Sequence, residues 1–137
     1  MDAKKYLGRL QFLDSKIAED RERVKTLKEQ AESRTSNPSP DKVQSSGSQS
    51  RQADTICEWV VLEQQIAEDE AKRDEIVDTI ALLTHPENVI IYKFYRYDKS
   101  LKEISREMHL SYSTVAKRHT KGLERVQKIL DERKARV

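Results

Sequence analysis

Cysteine is almost missing from this chain of 137 residues: Cys57 stands alone, which excludes a disulfide framework. Glycine and proline are scarce, at three residues each. Apolar residues reach 36%, against about 45–50% in an ordinary soluble domain, so one large compact core is not expected. No stretch approaches the roughly 18–20 apolar residues that would span a bilayer. The first residues, Met1-Asp2-Ala3-Lys4-Lys5, lead into a charged segment with no apolar run, so no signal peptide is expected. Together these absences describe a cytoplasmic protein in a reducing compartment. What is abundant is Lys, Glu, Arg and Leu, the composition of long helices.

The net charge of +2 hides a division. Residues 1–84 hold 13 Lys/Arg and 17 Asp/Glu, a balance of −4. Residues 85–137 hold 13 Lys/Arg and 7 Asp/Glu, a balance of +6. A basic portion joined to an acidic one points to nucleic acid as the partner of the basic part.

The spacing of apolar residues predicts two long helices. Over residues 3–32, Leu10, Leu13, Ile17, Val24, Leu27 and Ala31 recur at steps of three and four, interrupted by Asp20. Tyr6 extends this seam backwards, and Leu7 and Phe12 widen it. Over residues 52–84, Ile56, Trp59, Leu62, Ile66, Ile76, Ile80 and Leu83 repeat the spacing, with Asp69 and Arg73 on the seam. Such stripes need a partner. Between them, residues 33–51 contain Pro38, Pro40, Gly47 and seven serines, a composition that cannot offset its own ordering entropy and reads as a flexible linker. Two helices so joined form an antiparallel hairpin; the alternative is that each seam pairs with another chain as a homodimer. Polar seam residues cost stability but fix register.

Residues 85–137 read as a separate small domain. Pro86 is expected at the first position of a helix, which then carries the apolar cluster Val89, Ile90, Ile91, Phe94 and Tyr95. Tyr97-Asp98-Lys99-Ser100 ends it. Ser100 with Glu103 three residues on is a capping box. Leu101, Ile104 and Met108 form the inner stripe of a two-turn helix, and Ser105 is the small residue at which another helix can cross closely. His109-Leu110-Ser111 is a tight connector with Leu110 turned inward and Ser111 as the next N-cap. The final helix has Val115, Leu123, Val126 and Ile129 or Leu130 inside and a basic outer face. Two helices joined by a three-residue turn, the second with a basic polar face, make the helix-turn-helix pattern. Gly122 falls mid-helix, either to allow close packing or as a tolerated weak point.

Residues 86–130 resemble region 4 of bacterial sigma-70-type factors and the C-terminal helix-turn-helix of response regulators. The residues carrying the resemblance are Leu101, Ile104, Ser105, Leu110, Ser111, Thr114, Val115 and Leu123. The whole chain resembles a family of small phage and integrative-element transcriptional regulators. That resemblance implies an all-α fold, a long coiled-coil-like hairpin over 1–84 followed by a sigma region 4-like helix-turn-helix over 85–137. It implies a sequence-specific DNA-binding regulator of transcription, associated with the nucleoid of a bacterial host, with double-stranded DNA and RNA polymerase as partners. The recognition helix, about 112–130, would enter the major groove by its N-terminal part, with Tyr112, Ser113, Thr114, Ala116 and Lys117 reading bases. Arg118 stands where the family carries an apolar residue, and Lys121 continues the basic face. Ser111 offers a hydroxyl to phosphate, and Lys102 and Arg106 lie on the preceding helix, which crosses the backbone. The alternative function is a coiled-coil protein-interaction module that binds RNA polymerase without specific DNA binding.

Nothing in the sequence suggests catalysis. His85, His109 and His119 fall on separate elements, no Gly-rich phosphate loop exists, and no metal-ligand spacing is present. No enzymatic activity, cofactor, metal centre or membrane partner is expected.

Overall fold

The computed structural model describes residues 2–36 and 46–136. Among them are five helices: α1 (Ala3–Ser36), α2 (Ser46–Ala81), α3 (Glu87–Arg96), α4 (Leu101–Met108) and α5 (Tyr112–Ala135). None of these is long and apolar enough to cross a membrane. Helix α1 continues four residues past the expected end at 32, and α2 begins six residues before the expected start at 52. Serine and threonine are merely mediocre helix formers, so they do not stop a helix that is already propagating. The expected linker over 33–51 therefore shrinks towards its prolines; residues 37–45 lie outside the described residues.

The described chain forms two compact units, residues 15–70 and residues 1–14 with 71–137. In the first, Ile17, Val24 and Ile66 make the core, with Trp59 and Leu62 packed against them. Lys16 pairs with Asp69 at 3.0 Å and Lys28 with Glu63 at 2.8 Å, so here the segments of α1 and α2 run in opposite senses. Asp69, one of the expected polar seam residues, is buried; it takes the Lys16 ammonium and a 3.1 Å hydrogen bond from Gln65 Nε2. It does not pair with Arg73 or Asp20. Only the Lys16 contact crosses to the other helix, and a register that removed it would leave a buried carboxylate without its counter-charge.

Ile56, expected on this seam, is exposed instead. Counting back from Trp59 by the strict step of four lands on Thr55, which is buried and whose Oγ1 donates to the Arg51 carbonyl at 2.8 Å. The hydroxyl is thus satisfied inside the helix itself. Apolar character suggested Ile56, but geometry selects Thr55.

In the other unit the main core joins Tyr6, Leu7 and Leu10 of α1 to Ile76 and Ile80 of α2, Ile91 of α3 and Val126 of α5. The unit that contains α3–α5 therefore begins before residue 85, because the first turns of α1 and the last of α2 share its interior. Phe12, expected to widen the seam, is 66% exposed, since Leu10 and Leu13 already occupy the stripe on either side of it. Tyr6 Oη and Thr79 Oγ1 meet at 3.2 Å in the buried region. Asp14 receives Arg96 Nε at 3.3 Å and Arg73 at 4.0 Å.

A second cluster, Ile90, Ile104 and Val115 with Phe94, Leu101, Met108 and Leu110 packed on it, belongs to α3, α4 and α5 alone. These three helices pack pairwise. Pro86 is the N-cap residue of α3 and not its first helical residue as expected. Glu87 takes that first position and is driven inward.

Candidate nucleic-acid interface

Local chemistry builds the α4–α5 junction. Ser100 caps α4: its Oγ accepts the Glu103 N–H at 3.1 Å. His109 ends α4 in the left-handed region, φ 56° and ψ 39°, where an imidazole is tolerated better than a branched side chain. The reversal lets the Leu110 N–H reach the Ser105 carbonyl at 3.0 Å, which satisfies one of the last carbonyls of α4. Leu110 then packs into the apolar cluster of α3–α5. Ser111 caps α5, its Oγ accepting the Thr114 N–H at 3.2 Å and meeting Thr114 Oγ1 at 2.7 Å. Ser105 is buried, with its Oγ donating to the Lys102 carbonyl at 2.6 Å. The small side chain at this position is consistent with the contact of α4 with α5.

This junction leaves the start of α5 uncovered. Tyr112 is 58% exposed, and Ser113 is exposed beside it. The first-turn amides of a helix have no intrahelical acceptor and carry the positive end of its dipole. Thr114 and Ala116 are half-buried, and the Thr114 hydroxyl is already engaged by Ser111. Lys117 and Lys121 are exposed one turn apart on α5, as are Lys102 and Arg106 on α4. None of these four forms an ion pair among the described residues.

Other cations of the same segment are committed elsewhere. Glu107 binds Lys93 at 2.8 Å and also Lys99, and the hydrogen bonds from these two ammonium groups hold its carboxyl below the usual range. Glu87, only 1% exposed, receives Arg118 Nη1 at 3.6 Å and Arg125 Nη1 at 3.4 Å. Arg125 also donates to Thr84 Oγ1 at 2.8 Å. Arg118, expected on the DNA-facing surface, thus reaches inward to a buried carboxylate. Sequence reasoning missed Glu87. The available signal was Arg118 itself: a cation at a position that packs inward requires an acid within reach.

His119 is half-buried on α5. Its ring lies 4.7 Å from that of Phe94 and stacks on Tyr95 at 5.8 Å, tilted by 14°. Burial chiefly, and the charge of Lys4 next, push its pKa below the ordinary histidine value. Those contacts occupy the Phe94 and Tyr95 rings within the fold. Among the described residues no group of three His, Cys, Asp or Glu side chains could hold a metal ion.

Comparison with protein-family models, with curated proteins and with solved structures gives no match to this chain.

Proposed function

We propose that α3–α5 form a helix-turn-helix DNA-binding domain of the sigma region 4 type, and that the chain is a sequence-specific transcriptional regulator of the phage or mobile-element kind. The N-terminal part, an antiparallel hairpin in this reading, would serve dimerisation or contact with RNA polymerase. The observation that supports it is the junction at His109-Leu110-Ser111. There a left-handed residue, His109, and one serine cap, Ser111, turn one helix into the next within three residues and leave Tyr112 and Ser113 of the following first turn exposed. Uncompensated cations flank that end on both helices. Tyr112, Ser113 and Ala116 would meet base edges, with Ala116 suited to a thymine methyl. Lys102, Arg106, Lys117 and Lys121 would take phosphates, and the Ser111 cap would present the free amides of α5 to another. Arg118 would act by positioning α5 through Glu87.

A duplex selected from a randomised pool, followed by a salt series, tests this. Four phosphate contacts give a slope of log affinity against log salt of about −3.6, and a loss of affinity of about a hundredfold between roughly 50 and 200 mM salt. Lys117→Ala with Lys121→Ala should bring the slope to about −1.8. The reading fails if no duplex is enriched, or if the folded double variant keeps the parent's affinity and slope.

A further inference from the structure

Helix α2 carries a second, outward seam. Ala53, Cys57, Val60, Gln64 and Ala67 follow at steps of four, three, four and three, the spacing at which one helix meets another, and all are exposed. Exposed Ile56 and Val61 widen the stripe. The inward seam of the same unit, Trp59, Leu62 and Ile66, is already filled. Scattered surface apolar residues are ordinary, but four at the five positions of one heptad seam, interrupted only by Gln64, are not scattered.

The charges beside it are of one sign. Between Arg51 and Lys72 the chain has six acidic residues and no Lys or Arg. Asp54 and Glu68 lie seven residues to either side of Val61 on one flank, and neither forms an ion pair among the described residues. A groove along that flank is lined by Asp20, Asp54, Glu58, Cys57 and Val61, with Arg23 as its single cation. Arg23 is already bound to Glu58 at 2.6 Å, and Asp20 Oδ2 is buried without a hydrogen-bond partner. A second copy of this face in antiparallel register would set Asp54 against Glu68, like charge against like charge.

We propose that this face docks a basic amphipathic helix of another protein, apolar residues against the Val60 seam and Lys or Arg against Asp54, Glu68 and the groove acids. The proposal does not rest on DNA binding. Cys57, the chain's single cysteine, sits in the middle of the face and reports its occupancy. The probes are two synthetic helical peptides of equal length with Leu on the seam, one flanked by Lys and one by Glu. With the full chain, the Lys peptide is expected to slow modification of Cys57 by a soluble disulfide reagent at least tenfold, and to bind at least tenfold tighter than the Glu peptide. Asp54→Lys with Glu68→Lys should reverse that preference. The charge-matched control Asp78→Lys with Glu29→Lys, at exposed positions outside the face, should keep it, and both variants should retain the parent's helicity and DNA affinity. Equal affinity for both peptides, no protection of Cys57, or an unchanged preference after reversal at 54 and 68 overturns the proposal. So does a concentration-dependent dimer that protects Cys57 with no peptide present, which would make the second copy the occupant.

Discussion

Gly8 and Gly122 both stand inside helices, and the same substitution should move stability in opposite directions at the two. Replacing a helical Gly by Ala contributes about 1 kcal/mol through backbone entropy. At Gly8 a Cβ would meet nothing within 4 Å, so that gain is realised in full. At Gly122 a Cβ would lie 2.8 Å from Ile91 Cγ1 and 3.1 Å from Ile91 Cδ1. Ordinary carbon contacts sit at about 3.5–4.0 Å, so a gap of more than half an ångström must open. Ile91 is fully buried and β-branched, and its Cγ1 is close to the backbone, so α3 itself has to move. Overpacking of this kind costs about 1–3 kcal/mol, which exceeds the entropic gain over most of that range. Gly122→Ala should therefore lose up to about 2 kcal/mol net. For a chain of this size each kcal/mol corresponds to about 3–5 °C in Tm, read by circular dichroism during heating. Gly8→Ala should melt higher than the parent and Gly122→Ala lower. A Gly122→Ala protein that melts at or above the parent would refute the close crossing of α3 and α5.

Glu87→Gln keeps the buried shape but removes the charge that Arg118 and Arg125 share. Both arginines are about half exposed and can rehydrate, and their contacts with Glu87, at 3.6 and 3.4 Å, are ion pairs without a hydrogen bond, so the loss should be that of a screened ion pair, about 0.2–1 kcal/mol, measured by urea denaturation. His119 titrates below its unfolded value, so the unfolded chain binds the extra proton first. Its contribution is complete above the unfolded pKa and is lost as pH falls through the folded one. Tm should drop between about pH 7.5 and pH 5.5, and His119→Phe should flatten that drop; an unchanged slope would show that His119 is not its source. At His109, Gly should be tolerated or stabilise by up to about 1 kcal/mol, while Val should destabilise by more than that, because a branched side chain fits the left-handed region poorly. Equal melting temperatures for the Gly and Val variants would contradict the turn geometry.

What the sequence revealed of the α4–α5 junction is what chain-local chemistry controls. The caps at Ser100 and Ser111, the small Ser105, the inward Leu110 and the tight turn at His109 depend on neighbours within five residues, so the residue types carry the geometry. The all-helical character was legible for the same reason, through periodicity. The helix ends were not. The serines at 33–36 and 46–51 are weak helix formers whose fate depends on the helix already running into them. Ile56 and Phe12 failed for a different reason: apolar character shows that a side chain can be buried, while a strict seam has room for only one stripe. Thr55 won its place by register despite its hydroxyl.

The charge division shows the same boundary most sharply. A balance of +6 over residues 85–137 treats every Lys and Arg alike. Folding does not. Lys93 and Lys99 close on Glu107, Arg118 and Arg125 on Glu87, Arg96 on Asp14 and Arg133 on Glu75. Each of these pairs spends a cation on holding helices together. Lys102, Arg106, Lys117 and Lys121, exposed on α4 and α5, form no ion pair among the described residues. Counterion release depends on cations that reach phosphates, not on formal charge. Lys128, Lys134 and Arg136 form no ion pair among the described residues either, but they lie toward and past the C-terminal end of α5; the proposed interface takes the four cations nearer the α4–α5 junction, and the salt slope measures that subset and not the whole basic domain.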